Sequence, residues 1–195
     1  NQNILMIRSF VNELKGKLET FRTLNNNEIR KLNDIAKKYN IKYQNKHKLD
    51  LVDEILSNVD VIPNSIVLAQ AAIESGWGKS RFAKEYNALF GEYTYDDSEG
   101  VIPLERENGD THLIKAFSSY SNSVESYFDN INSHYAYEDF RDIRNIMRKR
   151  NNFSNVNLLV NKLSTYAEDE NYIKTIRQVI KTNNFGIFDQ KTISY

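Results

Sequence analysis

Apolar residues recur at three- and four-residue steps along most of this 195-residue chain, which is the period of helices with one buried face. Ile4, Ile7, Phe10, Val11, Leu14 and Leu18 predict a first helix over residues 3–21. Ile29, Leu32, Ile35, Ala36 and Tyr39 predict a second, with Asn27 as its cap and Glu28 in its first turn. Residues 49–59 read as a third. Pro63 then punctuates the chain, and Asn64 or Ser65 is expected to cap a fourth helix that stops at Gly76, with Leu68, Ala69, Ala72 and Ile73 facing the core. A short helical piece follows over 80–86.

Between residues 89 and 117 this period breaks. Gly91, Gly100, Pro103 and Gly109 interrupt it, residues 92–95 alternate weakly, and V-I-P-L-E-R, an E-N-G-D turn and T-H-L-I-K-A-F predict a β-hairpin. Helical spacing returns over 122–133, 137–150, 156–166 and 171–182, the last with Tyr172, Ile176, Val179 and Ile180 on one face. The fold class is therefore α+β, mostly α, a helical domain with a small β lobe between two helical blocks. Ligand clefts form at such junctions.

Composition removes several functions. Lys plus Arg number 26 and Asp plus Glu number 26, so overall charge indicates neither nucleic acid nor an anionic membrane. No apolar run approaches the roughly 20 residues that span a bilayer. Cysteine is absent, which excludes disulfides, zinc-thiolate sites and thiol nucleophiles. His47, His112 and His134 lack ligand spacing and there is no H-E-x-x-H, so no metal and no other cofactor is expected. The D-D-S-E-G loop at 96–100 departs from the calcium-loop pattern, and neither a phosphate-binding glycine loop nor a G-x-S-x-G elbow is present. The basic run R-D-I-R-N-I-M-R-K-R at 141–150 reads as a solvated helix end. The length suits one domain of ordinary size. The first residue is Asn1, not Met, so removal of a leading segment is expected.

The residues L-A-Q-A-A-I-E-S-G-W-G at 68–78 put one carboxylate, Glu74, at the end of an apolar helix beside the single tryptophan, Trp77. Carbonyl dipoles at a helix C-terminus disfavour negative charge and an apolar wall adds desolvation, so both push the carboxyl pKa upward. A general acid needs that shift. Glycoside hydrolysis joins such an acid to a second group that supplies a nucleophile or activates water. Glu105 and Glu107, on one face of a strand before the Asn108-Gly109 turn, are candidates, as are Asp96, Asp97 and Glu99; residue chemistry alone leaves that choice open.

The run A-Q-A-A-I-E-S-G-W-G-K-S-R-F-A-K-E-Y-N-A-L-F-G at 69–91 resembles the signature of bacterial glucosaminidases of glycoside hydrolase family 73. E-R-E-N-G, F-S-S-Y-S-N-S-V-E-S-Y, H-Y-A-Y-E-D-F-R and Y-A-E-D-E-N-Y-I-K-T-I resemble later blocks of that family in the same order, so the likeness covers residues 61–180. The arm before Val61 and the H-x-A-Y-x-x-F-R pattern resemble the Bax-type subgroup of exported proteins. The resemblance implies a lysozyme-like fold, with a helical arm over 1–60 packed on a catalytic domain over 61–195 whose β lobe spans about 89–117. It further implies hydrolysis of the β-1,4 bond between N-acetylglucosamine and N-acetylmuramic acid in peptidoglycan.

Residue by residue, Glu74 matches the family's catalytic acid, Glu105 its hairpin glutamate with Glu107 as rival, and Tyr137 its active-site tyrosine. Tyr135 stands where many relatives carry proline. Trp77, Asn87, Phe90 and Tyr93 are expected to line the glycan groove, because pyranose rings stack on aromatic faces. Carboxyl groups roughly 5 to 5.5 Å apart would mean direct nucleophilic attack and roughly 6.5 to 9.5 Å an activated water; the substrate's 2-acetamido group offers a third route. The implied partner is the peptidoglycan glycan strand, the implied location periplasmic or wall-side, and a monomer is expected. The competing readings are a lytic transglycosylase, an endoglucosaminidase of N-linked glycans, and a non-catalytic wall-binding module.

Overall fold

The structure is a computed structural model that describes residues 1–103, 111–152, 155–167 and 169–189. It opens with α1 (Gln2–Glu19), α2 (Asn26–Lys38) and α3 (Lys48–Asn58). The cap of α2 is Asn25, not Asn27 as the pattern suggests. The Asn25 side chain accepts from the Glu28 backbone N–H while the Glu28 carboxylate accepts from the Asn25 N–H, and this reciprocal pair satisfies two donors that a helix start leaves free. Val11, Leu14, Leu32, Leu51 and Ile55 are fully buried in the same apolar cluster as Ile66, Ala69, Tyr127, Phe140 and Ile176. The first three helices therefore share one core with the remainder of the chain.

At the end of α3 the chain buries a charge. Asp60 is completely buried and takes a bidentate contact from Arg148, with Nε 2.8 Å from Oδ2 and Nη2 2.6 Å from Oδ1. The Arg8 Nε lies 3.3 Å from Oδ1, and the Asp60 carbonyl accepts from Arg144 Nη1 at 3.0 Å. One carboxylate thus ties α1 to α7 (Glu138–Lys149). This corrects the reading of residues 141–150 as a solvated end, since Arg144 is fully buried and Arg141 only 6% exposed. Arg141 donates to the carbonyls of Ile131 and His134, where α6 (Tyr120–Ser133) ends, and a guanidinium suits those unpaired, partly negative groups.

The other elements are α4 (Asn64–Glu74), α5 (Arg81–Tyr86), β1 (Tyr93–Thr94), β2 (Gly100–Val101), β3 (Leu113–Lys115), α8 (Asn157–Val160) and α9 (Tyr172–Thr182). The strands form an antiparallel sheet in the order β1-β3-β2, with Tyr93 and Val101 both opposite Ile114. Gly100 permits this approach, because a Cβ there would lie 2.5 Å from the Leu113 Cβ. Of the expected hairpin, Val101 in β2 and Leu113–Lys115 in β3 pair as its arms require; residues 104–110, with the N-G turn, Glu105 and Glu107, lie outside the described residues. The expected helix over 156–166 shrinks to the four residues of α8. The chain beyond it tightens into turns, with Leu163 N–H donating to Val160 and Tyr166 N–H to Leu163. That path carries the Tyr166 hydroxyl to the Phe90 carbonyl at 3.1 Å, so a long-range contact overrides local helical spacing. Among the described residues no helix is long and apolar enough to cross a membrane.

Candidate active site

Helix α4 aims the site. Its core side is Ile66, Ala69 and Ala72 together with the buried polar residues Ser65 and Gln70, whereas Leu68, expected on the core stripe, is 38% exposed. Its first turn is not capped by Asn64 or Ser65 acting alone. Asp189 returns from the far end of the chain and accepts from the Ser65 N–H at 2.8 Å and the Ser65 hydroxyl at 2.6 Å. A carboxylate satisfies free N–H groups there and suits the positive end of the helix dipole.

At the other end, Glu74 is the last residue of the helix. The Ser75 hydroxyl donates to the Ala71 carbonyl and accepts from the Gly78 N–H, and Trp77 N–H donates to the Ala72 carbonyl. Gly76, Trp77 and Gly78 then run consecutively at φ +56°, +59° and +71°. Glycine adopts this region freely, but a tryptophan there costs about 1–2 kcal/mol. The strained turn leaves Trp77 56% exposed, three residues from Glu74. Backbone strain held at such a place is a mark of functional sites.

Glu74 is partly buried, and its Oε1 accepts from the Tyr172 hydroxyl at 2.6 Å. The direction of that bond is set by a chain of donors: Tyr127 donates to Gln70 Oε1 at 2.6 Å, and Gln70 Nε2 donates to Tyr172 at 3.0 Å. With its lone pair engaged, Tyr172 directs its proton to Glu74. Burial pushes the Glu74 carboxyl above its ordinary range, and the Tyr172 hydrogen bond opposes this by favouring the ionised form. On the Oε2 side stands Gly91 at φ +62°, where a Cβ would lie 3.8 Å from that oxygen. Gly91 contributes no side chain on this side of the carboxyl.

The other expected site residues fall in different settings. Tyr137 is 7% exposed, its phenol hydrogen-bonds with Asn130, and its ring lies 6.1 Å from that of Tyr166. Burial raises its pKa to about 12. It is Tyr172, by contrast, that touches Glu74. Phe90 turns its ring into the core, 2% exposed and stacked 4.2 Å from Tyr127. Asn87 ends α5 at φ +53° and donates its side-chain amide to the Phe117 carbonyl, so it clamps the end of the β lobe to that helix. Tyr93 is 64% exposed and packs against His112 at 4.2 Å. Tyr172 and Gln70 escaped the sequence reading. Tyr172 sits on the apolar face of α9 and reads as core, but a glutamine inside the apolar run of α4 was a usable signal, since a buried amide requires partners.

Glu92 is a second partly buried carboxylate beside this region. Ser126 of α6 donates to its Oε2 at 2.8 Å, and its Oε1 is buried without a hydrogen-bond partner among the described residues. Burial pushes its pKa up to about 7, partly opposed by the Ser126 bond and by Lys115 of β3, while Asp129 of α6 adds to the rise. The folded protein thus holds a proton that the unfolded chain releases near pH 4.5. Stability is fully present below that value and falls as pH rises through about 7. From pH 5 to pH 8 wild type is expected to lose about 2.5 kcal/mol through this group. Denaturant unfolding at both values should show that loss disappear in Glu92→Gln, and an unchanged pH dependence would remove Glu92 as its source.

Among the described residues no group of three or more His, Cys, Asp or Glu side chains is placed to hold a metal ion. The site therefore presents a raised carboxyl, an oriented phenol, a glycine beside the carboxyl and an exposed indole, an arrangement suited to protonating a leaving group on a bound ring.

Comparison with known proteins gives the same picture. Protein bax of Escherichia coli (strain K12) is 35% identical over 137 residues, covering 70% of this chain and 48% of that protein. Peptidoglycan hydrolase FlgJ of Escherichia coli (strain K12) is 35% identical over 92 residues, covering 42% of this chain and 29% of its own length, and FlgJ of Salmonella typhimurium is 34% identical over the same span. The chain thus spans about half or less of the curated relatives it matches. No solved structure matches it. The sequence profile described as mannosyl-glycoprotein endo-beta-N-acetylglucosaminidase matches residues 49–185, more than two thirds of the chain, and the chain belongs to this glucosaminidase family of glycoside hydrolases.

Proposed function

We propose that the chain is an endo-β-N-acetylglucosaminidase that hydrolyses the β-1,4 bond between N-acetylglucosamine and N-acetylmuramic acid in peptidoglycan, outside the cytoplasm. The observation that carries this reading is the Glu74 carboxyl, raised by burial and steadied by Tyr172, with Gly91 beside its second oxygen. In the proposed mechanism Glu74 protonates the glycosidic oxygen as the bond breaks. Glu105 of the β lobe, with Glu107 as rival, assists at the anomeric centre, and Tyr137 steers the substrate. Trp77 and Tyr93 offer exposed rings to sugar faces, and Asn87 and Phe90 support the wall behind them. Residues 1–60 form a helical arm packed on a catalytic domain over 61–195. Peptidoglycan is favoured over protein-linked glycans because the FlgJ relatives are peptidoglycan hydrolases.

Mass spectrometry of reduced soluble fragments from purified peptidoglycan tests the bond. Fragments ending in reduced N-acetylglucosamine are expected. Anhydro-muramic ends would make the protein a lytic transglycosylase, and binding without release a wall-attachment module.

The Tyr172 contact gives a further expectation. Tyr172→Phe removes a donor to the charged form of Glu74, an interaction of about 1.5 kcal/mol or about one pH unit. Activity requiring protonated Glu74 is lost as pH rises through its pKa, so the alkaline limb of the kcat/KM profile should move upward by that amount in the variant. A limb that stays in place would separate Tyr172 from the acid.

A further inference from the structure

Around Asp60 the protein encloses more positive charge than negative. Arg8 and Arg148 pair with its buried carboxylate, and Arg144 stands beside it on the Asp60 carbonyl. Further contacts go to carbonyls where α3 ends: Arg8 Nη1 donates to Leu56 at 2.6 Å and Val59 at 2.7 Å, and Arg144 Nη2 donates to Asn58 at 2.7 Å. A helix end carries only about half an elementary negative charge. These carbonyls therefore satisfy the hydrogen bonds of the guanidinium groups but not their charge. Burial lowers the Arg8 pKa, Asp60 opposes that fall, and Arg148 adds to it.

A hollow of about 550 Å³ opens onto this cluster between α1, α3 and α7, within the roughly 300–1,000 Å³ of small-ligand sites. Arg8 and Arg148 line it, as do Lys15 of α1 and Lys149 of α7. Lys149 is exposed and makes no ion pair among the described residues. Ser57 of α3, also in the wall, accepts from the Asn145 amide at 2.5 Å, which leaves its own hydroxyl proton to donate. Two carboxylates face the same space, but Asp53 is paired with Lys15 at 2.7 Å and Glu54 with Lys46. The lining is net positive. We propose that this hollow binds a phosphate group, free or esterified. Such a group carries about −1.5 to −2 charge at pH 7 and several strong acceptor oxygens, so it offsets the excess that one carboxylate leaves, and guanidinium, ammonium and hydroxyl donors match its oxygens. These residues lie on α1, α3 and α7 whereas Glu74 ends α4, and the inference stands apart from the glucosaminidase reading.

Isothermal titration calorimetry of the whole chain with inorganic phosphate and with glycerol 3-phosphate, at pH 7 and constant ionic strength, tests the site. Saturable binding of about millimolar affinity is expected. Lys15→Gln combined with Lys149→Gln should weaken it about tenfold. Asp53→Asn, which removes a facing negative charge and releases Lys15, should tighten it about threefold. Binding of both ligands assigns the site to the phosphate group itself, binding of the ester alone to a phosphorylated molecule, and binding of the inorganic ion alone to free phosphate. Absence of saturable binding by either ligand overturns the proposal, as does an affinity unchanged in the double lysine variant or weakened by Asp53→Asn. Glu74→Gln should bind phosphate as wild type does; loss of binding there would place the anion at the Glu74 carboxyl and overturn this site, whatever the variant does to saccharide release.

Discussion

Glu74→Gln is expected to reduce the release of saccharides from purified peptidoglycan by about 10²–10⁴-fold, the range that a positioned general acid contributes. The substitution is nearly isosteric, and the Tyr172 hydroxyl retains an oxygen to donate to, so the line from Tyr127 through Gln70 remains in place. What disappears is the transferable proton. Folding should not suffer, because an amide at this partly buried position removes the penalty that raises the carboxyl pKa. Initial rates and thermal midpoints measured together decide the case: a large loss of rate with an unchanged or higher midpoint identifies the acid. Full activity in the variant would refute the assignment.

Asp60→Ala is expected to have the largest effect on stability, a loss of about 3–5 kcal/mol. The carboxylate is completely buried and receives Arg148 on both oxygens and Arg8 on one. Burial lowers the pKa of the Arg144 guanidinium to about 9 and Asp60 acts against that fall. Removing Asp60 leaves several guanidinium groups enclosed together without their counter-ion, which is worse than never having buried the pair. Asp60→Asn keeps an acceptor for the Val61 N–H, which now donates to Oδ1 at 2.7 Å, and should recover only part of the loss. Denaturant unfolding at pH 7 provides the measurement. A change within about 0.5 kcal/mol, the usual range for a surface site, would show that the cluster does not depend on its carboxylate. Because Arg8 belongs to α1 and Arg148 to α7, the variant also measures how strongly α1 is held to α7.

Much of this architecture was legible because helical burial writes a period into the chain. The stripe of Val11 and Leu14 in α1, of Leu32 and Ala36 in α2, and of Tyr172 and Ile176 in α9 is buried as that period requires. The β lobe showed itself through glycine and through V-I and L-I-K segments, which became β2 and β3. Errors arose where a distant partner decides. Residues 156–166 carry helical spacing, yet Tyr166 reaches Phe90 and the helix stops after Val160. The arginines of α7 have the look of a solvated face, yet Arg141 and Arg144 are drawn inward by carbonyls at the ends of α6 and α3.

For the site, local sequence determined that a carboxyl ends an apolar helix and that Gly76 and Gly78 flank the single tryptophan, since these follow from residues within one turn of each other. Short-range chemistry of that kind needs no knowledge of the fold. Only the tertiary structure decided what surrounds Glu74: Tyr172 arrives from 98 residues away to orient it, Gly91 stands beside its second oxygen, and Asp189 secures the opposite end of its helix. Burial and hydrogen bonding are properties of groups brought together by packing, and an amino-acid sequence does not express them until the core has formed.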